Sequence, residues 1–218
     1  MHGDSLLMLT TIVVSNKNPS LLSVSESGGS TSQERIELID GKVFMISPRP
    51  KYEHITICDN IFRKFGNYLE GKTCQAFPDG FDVFLDEQNK FIPDCMIVCN
   101  RDIIKRNGIH GAPDLVVEVL SPSTAKNDRS KKKFAYERAG VKEYWIVNPI
   151  DKSVEVYLNQ DKTFILDNIY YYYTDEEITE NEQLPPKDKI TMYSEIKVSI
   201  CDNLVVKLKD IFERVDSI

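Results

Sequence analysis

Apolar side chains along this chain fall into short blocks separated by polar turns, and one block carries an acid in its middle. It is Asp114-Leu115-Val116-Val117-Glu118-Val119-Leu120, in which five of seven side chains are branched aliphatics. Such a run reads as a strand covered on both faces. Its alternation sets 116, 118 and 120 on one face and 115, 117 and 119 on the other. Glu118 therefore lies between Val116 and Leu120, where a carboxylate loses its water and needs a cation, a metal ion or hydrogen-bond donors. An edge strand with one wet face is the simpler alternative.

The other blocks suggest the rest of the architecture. Two short apolar runs within 35–46 flank Asp40-Gly41, a strong two-residue hairpin signal. Apolar positions at 55, 58, 61, 62, 65 and 69 follow a helical period, and Gly71 ends it. Strands are expected at 80–85 and 91–99, joined by a polar turn, followed by a polar segment at 100–112. A helix is expected at 126–139 with Gly140 as its terminator, then strands at 143–148 and 154–158. Beyond 160 the signal weakens. Residues 170–173 read as a strand, the acidic 175–183 as a loop, and 196–212 as a strand and terminal helix. This order fits an α/β fold with a mixed central sheet flanked by helices. Residues 15–34 are rich in Ser, Asn, Gly and Thr, so 1–34 reads as a flexible segment and 35–218 as a single domain.

Composition changes this picture little. A content of 41% hydrophobic and 28% charged residues leaves room for an ordinary globular core. The net charge of −7 argues against a broad basic surface that coats nucleic acid, but allows a local basic patch. Five cysteines, at 58, 74, 95, 99 and 201, show no CxxC spacing. All five are expected as reduced thiols in a cytoplasmic protein, with no zinc site. The apolar stretch 6–14 is far shorter than the roughly 20 residues that span a bilayer. No basic residue precedes it, so neither a membrane segment nor a secretory signal is expected.

Two further features could complete a site around Glu118. Upstream is Pro93-Asp94-Cys95-Met96-Ile97-Val98, where Asp94 opens an apolar run behind a proline tolerated at a strand start. Its simpler reading is a turn acid bonding nearby amides. Downstream is the basic stretch Lys126 to Lys133. There Asp128, Lys132, Ala135, Tyr136 and Ala139 form one helical stripe, which turns Lys132 toward the protein body. Lys131 and Lys133 point about 100° to either side. With Lys126 and Arg129 they are candidates for binding a nucleic-acid backbone. The simpler reading is a surface helix with an Asp128–Lys132 pair worth a few tenths of a kcal/mol. Asp114 shares the face of Glu118 but lies roughly 13 Å along the strand, so it is at most a supporting residue. Phosphodiester cleavage needs this combination, because carboxylates hold a hard dication that lowers the pKa of bound water. A lysine beside them can stabilise the developing charge.

At these residues the chain resembles a known family. Pro93-Asp94, the run from Gly111 to Thr124, and Ala139-Gly140-Val141-Lys142-Glu143-Tyr144-Trp145-Ile146-Val147 are similar to the Uma-type restriction endonuclease family of the PD-(D/E)xK nuclease superfamily. Glu37-Leu38-Ile39-Asp40-Gly41 matches its opening, and the resemblance covers 35–160. It implies a restriction-endonuclease-like core, with Mg²⁺ (or Mn²⁺ in its place) held by Asp94, Glu118 and the Val119 backbone carbonyl. Two residues after the acid, where the superfamily carries its lysine, this chain has Leu120. The resemblance implies instead a lysine from the next helix, within an Asp-x-x-x-Lys pattern met by Asp128 and Lys132. Glu37 and His54 fall where an N-terminal acid and a helix residue border the site. For His54 a surface or supporting position is the simpler reading.

The first expectation is thus a Mg²⁺-dependent DNA endonuclease, for which a homodimer would suit cutting two strands. The second is a catalytically silent nucleic-acid-binding or assembly module that keeps the fold. A glycosidase-like acid pair, with the tyrosines of 170–173 as sugar platforms, is a third reading. The four tyrosines are more simply a strand or dimer surface. Alanine at Asp94, Glu118 or Lys132 is expected to remove cleavage while the fold persists.

Overall fold

The computed structural model describes residues 35–45 and 50–215; the segment 1–34 expected to be flexible lies outside them. The chain opens with β1 (Ile36–Ile39) and β2 (Lys42–Met45), followed by α1 (Tyr52–Leu69). Then come β3 (Gln75–Pro78), β4 (Val83–Asp86), β5 (Asn89–Phe91), β6 (Cys95–Val98), β7 (Ile104–Lys105), β8 (Gly108–His110) and β9 (Leu115–Val119). A continuous helical stretch consists of α2 (Ala125–Asn127), a π-helical turn (Asp128–Lys132) and α3 (Lys133–Ala139). The last elements are β10 (Glu143–Asn148), β11 (Ser153–Gln160), β12 (Thr163–Tyr171), α4 (Asp175–Gln183), β13 (Glu195–Lys197), β14 (Val205–Lys207) and α5 (Leu208–Ile211).

Among the described residues the strands form two mixed six-stranded sheets and a small pair, rather than one central sheet. The first sheet runs β2-β1-β5-β4-β8-β7 and the second β12-β11-β10-β9-β6-β3. In the second, β9 lies parallel to β10 and antiparallel to β6. The α/β class with mixed sheets and flanking helices stands.

β9 is covered on both faces, as its unbroken apolar run predicts. Leu115, Val117 and Val119 pack with Ile57, Ile61 and Phe65 of α1. Trp145 of β10 joins that layer, with its rings 5.7 Å from Phe65. Val116 and Leu120 face the other way, into a core with Phe91, Tyr136 and Tyr144. Glu118 shares that second face, between the sheet and the 125–139 helix.

One local expectation holds and several others change. The hairpin turns at Asp40-Gly41, both at positive φ (49° and 73°), as a tight primed turn requires. The strand expected at 91–99 is two strands, because Pro93 has no amide to donate to a ladder. The polar segment 100–112 holds the β7–β8 hairpin. The acidic 175–183 is a helix rather than a loop. There the Thr174 hydroxyl accepts from the Glu177 amide while the Glu177 carboxylate accepts from the Thr174 amide.

The cysteine expectation is also corrected. Cys74 and Cys99 form a disulfide, and only Cys58, Cys95 and Cys201 are free. The register of β3 against β6, with Gln75 opposite Val98, sets positions 74 and 99 across from one another. The bond also removes the thiol count as a ground for a cytoplasmic location. No helix among the described residues is long and apolar enough to cross a membrane. A bridge across a sequence separation of 25 should contribute about 3 kcal/mol by restricting the unfolded chain. Thermal unfolding with and without a strong reductant should show a clear drop in Tm, and thiol counting by mass spectrometry should find two fewer reactive thiols before reduction.

Candidate active site

Strand register brings the two acids together. Cys95 of β6 pairs with Val117 of β9, so one further step sets Asp94 opposite Glu118. Asp94 stands just before β6, at the end of an internal strand that lies between β9 and β3. One carboxylate oxygen of Asp94 accepts the Val119 amide at 2.7 Å. The other lies 3.3 Å from His54 Nε2, offered by α1.

Glu118 is 3% exposed. Its Oε1 accepts the Tyr136 hydroxyl at 2.9 Å and stands 2.7 Å from Lys132 Nζ. The lysine reaches inward from the π-helical turn, whose Asp128 carbonyl accepts the Tyr144 hydroxyl at 3.0 Å. Such one-turn widenings of a helix recur at functional sites. The same ammonium lies 3.0 Å from Glu37 Oε1 and 3.3 Å from Asp128 Oδ1. Glu37 comes from β1 of the other sheet, and its Oε1 also accepts the Ile92 amide at 3.1 Å. Residues from three separate stretches thus meet around one lysine.

The electrostatics of this cluster do not balance. Three carboxylates (Glu37, Glu118 and Asp128) surround one ammonium, a formal surplus of two negative charges. Burial pushes the Glu118 carboxyl well above the usual range; Lys132 opposes this, and Asp128, Asp94 and Glu37 reinforce it. Burial likewise raises Asp128, against Lys132 and the Thr124 hydroxyl. Burial alone would lower Lys132, but Glu118, Glu37 and Asp128 hold it well above its ordinary value. Burial would also lower His54, and Asp94 more than offsets this. Asp128 Oδ1 is buried and has no hydrogen-bond partner despite its nearness to the lysine. Glu143 makes a contrast within the same sheet. Equally buried, it accepts the Trp145 indole N–H together with the Ser199 amide and hydroxyl, an arrangement of neutral donors. Glu118 has no such set.

A family model described as "Putative restriction endonuclease", Uma2, matches residues 24–192. The chain belongs to the Uma2 family. An uncharacterized protein of Synechocystis sp. (slr1290) is 28% identical over 131 residues, covering 59% of this chain and 68% of that protein. A crystal structure from Anabaena variabilis, titled a "putative nuclease belonging to DUF820", aligns with a TM-score of 0.62 at 19% identity. It covers 84% of this chain and 93% of that one, a likeness of fold.

Within this Uma2 chain not every expected residue joins the cluster. Asp94, Glu118, Lys132, Glu37, Asp128 and His54 do. Asp114 does not, because its carboxylate accepts the Cys99 amide at 2.7 Å and pairs with Lys142 at 2.7 Å. Its role is to anchor the start of β9. Asp114→Ala should cost about 1–3 kcal/mol of stability by leaving that amide unpaired, and should leave cleavage by the folded protein unchanged. Denaturant melts together with a cleavage assay check this.

The basic patch is also smaller than the sequence implies. Arg129 is held by Glu155 through two N–H groups, and the Lys133 ammonium lies 3.7 Å from the Tyr157 ring centre with its pKa lowered by burial. Lys131 is exposed and lies 5.8 Å from the Phe44 ring, and Lys126 is exposed. Ala139, expected on the buried stripe, is exposed as well. The hydroxyl of Tyr136 on Glu118 was missed from sequence, although the inward stripe already contained that residue.

Proposed function

We propose that this protein is a metal-dependent DNA endonuclease that hydrolyses phosphodiester bonds. The observation that carries the reading is the Glu118–Lys132 contact of 2.7 Å beside Asp94, within a cluster that holds more carboxylates than cations. Asp94, Glu118 and the Val119 carbonyl would hold Mg²⁺, with Mn²⁺ as a substitute. The ion would supply a Lewis acid for the phosphoryl oxygens and lower the pKa of a bound water. Lys132 stays protonated and places a fixed positive charge where negative charge develops, a contribution that needs no reorganisation during reaction. Glu37, Asp128 and the Tyr136–Glu118 bond fix its position. Asp94 and His54, with side chains 13% and 17% exposed, mark the side from which a phosphodiester reaches the cluster. Lys126 and Lys131 remain as exposed contacts for the DNA backbone. A homodimer would present two such sites to two strands, and a cytoplasmic protein would meet DNA.

A second reading draws on burial. With Lys132 and Glu118 side chains each only 4% exposed, the cluster could serve as a structural ion network in a silent nucleic-acid-binding module. Plasmid nicking separates the two. Relaxation of supercoiled DNA by the purified protein in Mg²⁺ or Mn²⁺, absent in EDTA and absent from Asp94→Ala, is expected. Nicking that persists in the variant would indicate contamination, and none by the wild type under any ion would favour the silent module.

A further inference from the structure

We propose that His54, Cys58 and Asp94 form a second cation site, suited to a borderline transition ion such as Zn²⁺ or Co²⁺. No local pattern points to it, since the cysteines lack metal-binding spacing and no second histidine stands nearby. The structure supplies the missing ligand from another element. His54 and Cys58 stand at i and i+4 on α1 and so share one face of the helix. Asp94, at the start of β6, brings one carboxylate oxygen to that same face. One ligand atom from each residue lies within 4.8 Å of the others. His54 Nδ1 is 3.5 Å from Cys58 Sγ, and His54 Nε2 is 3.3 Å from Asp94 Oδ1. Ligands around one tetrahedral ion, with metal–nitrogen and metal–oxygen bonds of about 2.0 Å and metal–sulfur of about 2.3 Å, stand roughly 3.3–3.8 Å apart. Those two contacts use different nitrogens of the imidazole, and an ion binds only one of them, so the three ligand atoms, now within 4.8 Å of one another, must close to that spacing by side-chain rotation.

Access and a free coordination position come from a cavity of about 190 Å³ alongside, lined by His54, Cys58, Asp59, Phe62 and Asp79 among others. That is ample for a water in the fourth position of a three-ligand site. Its two acids are already engaged, Asp59 by Arg63 at 3.3 Å and Asp79 by Arg35, so they shape the field without adding ligands. Imidazole and thiolate select zinc, cobalt and related ions, whereas the all-oxygen set around Glu118 selects magnesium. The two sites are therefore chemically distinct and touch at Asp94. One oxygen of its carboxylate faces α1, and the other faces the β9 backbone. Loading follows M²⁺ + Cys–SH → [M–S–Cys]⁺ + H⁺ with the proton passing to solvent, so it consumes no other reagent. Only the sharing of Asp94 rests on the proposed nuclease centre; the second site stands on its own three residues.

Titration of the full chain with CoCl₂ in excess Mg²⁺ tests this. A thiolate-to-cobalt charge-transfer band that saturates near one equivalent is expected, with tetrahedral d–d bands. Cys58→Ser should abolish the charge-transfer band, and His54→Gln should weaken Co²⁺ binding by at least about tenfold. Glu118→Gln should leave the band intact, which distinguishes failure of this site from failure of the nuclease reading. As a second variant, Cys95→Ala with Cys201→Ser keeps Cys58 and should retain the band. Absence of the band in the wild type, its persistence in Cys58→Ser, or its loss in the Cys95/Cys201 variant would each overturn the proposal.

Discussion

Glu118→Gln is expected to lower divalent-dependent DNA cleavage by at least about 100-fold while leaving the metal-free protein as stable as before, or more so. The amide keeps the volume of the side chain and still offers an oxygen to the Tyr136 hydroxyl, which now donates to Glu118 at 2.9 Å. It removes one of three carboxylates around Lys132 and leaves Glu37 and Asp128 to balance that charge. The pH dependence follows from the raised carboxyl. The folded protein holds a proton that the unfolded chain has released, so stability falls as pH rises above the unfolded value of about 4.3 and on through the raised folded value. Glutamine removes that slope. Melts in EDTA should show Tm unchanged or raised in the variant near neutrality, by the equivalent of about 0.5–2 kcal/mol. Adding Mn²⁺ should raise Tm in the wild type and do less in the variant. A large loss of stability in EDTA would show instead that the ionised carboxylate holds the fold together, and the ion-binding reading would fall.

Lys132→Met has the opposite signature. It leaves three carboxylates buried without their cation, which should cost about 3–5 kcal/mol in EDTA at about pH 8 and abolish cleavage. This departs from the expectation that alanine at Lys132 would spare the fold, because that expectation did not foresee a side chain enclosed by acids. The loss should shrink as pH falls. Burial already favours the protonated forms of Glu118 and Asp128, and without the ammonium nothing opposes it, so the folded state takes up protons ahead of the unfolded chain. Urea unfolding at about pH 8 and about pH 5 measures the difference. The double variant with Glu118→Gln should recover part of the lost stability, since the two residues interact directly. If Lys132→Met melted like the wild type at both pH values, the cluster would be too well hydrated to act as described.

Much of the fold was legible because local chemistry and global structure agree. Asp40-Gly41 fixed the hairpin, the branched run ending at Leu120 fixed β9, and the stripe through Tyr136 turned Lys132 inward. Other features depend on long-range pairing that no local pattern carries. The division into two sheets follows from crossovers, and the Cys74–Cys99 bond follows from register across β3 and β6. The strand Gln75–Pro78 ends in proline and has little apolar alternation, so tertiary pairing rather than propensity makes it a strand. α4 is different, for its signal was present. Thr174-Asp175-Glu176-Glu177 is a capping box, and acids in a first turn favour a helix, but the bare acidity of the segment suggested a loop.

The arrival of Glu37 from the first hairpin has a consequence for the order of assembly. It lies 95 positions before Lys132, so the centre closes only when remote parts of the polypeptide have come together across the two layers. Contacts between residues so far apart in sequence carry a larger loop-closure cost than local ones. A half-folded molecule therefore lacks a competent centre, and whatever reaction this protein performs begins only once its architecture is complete.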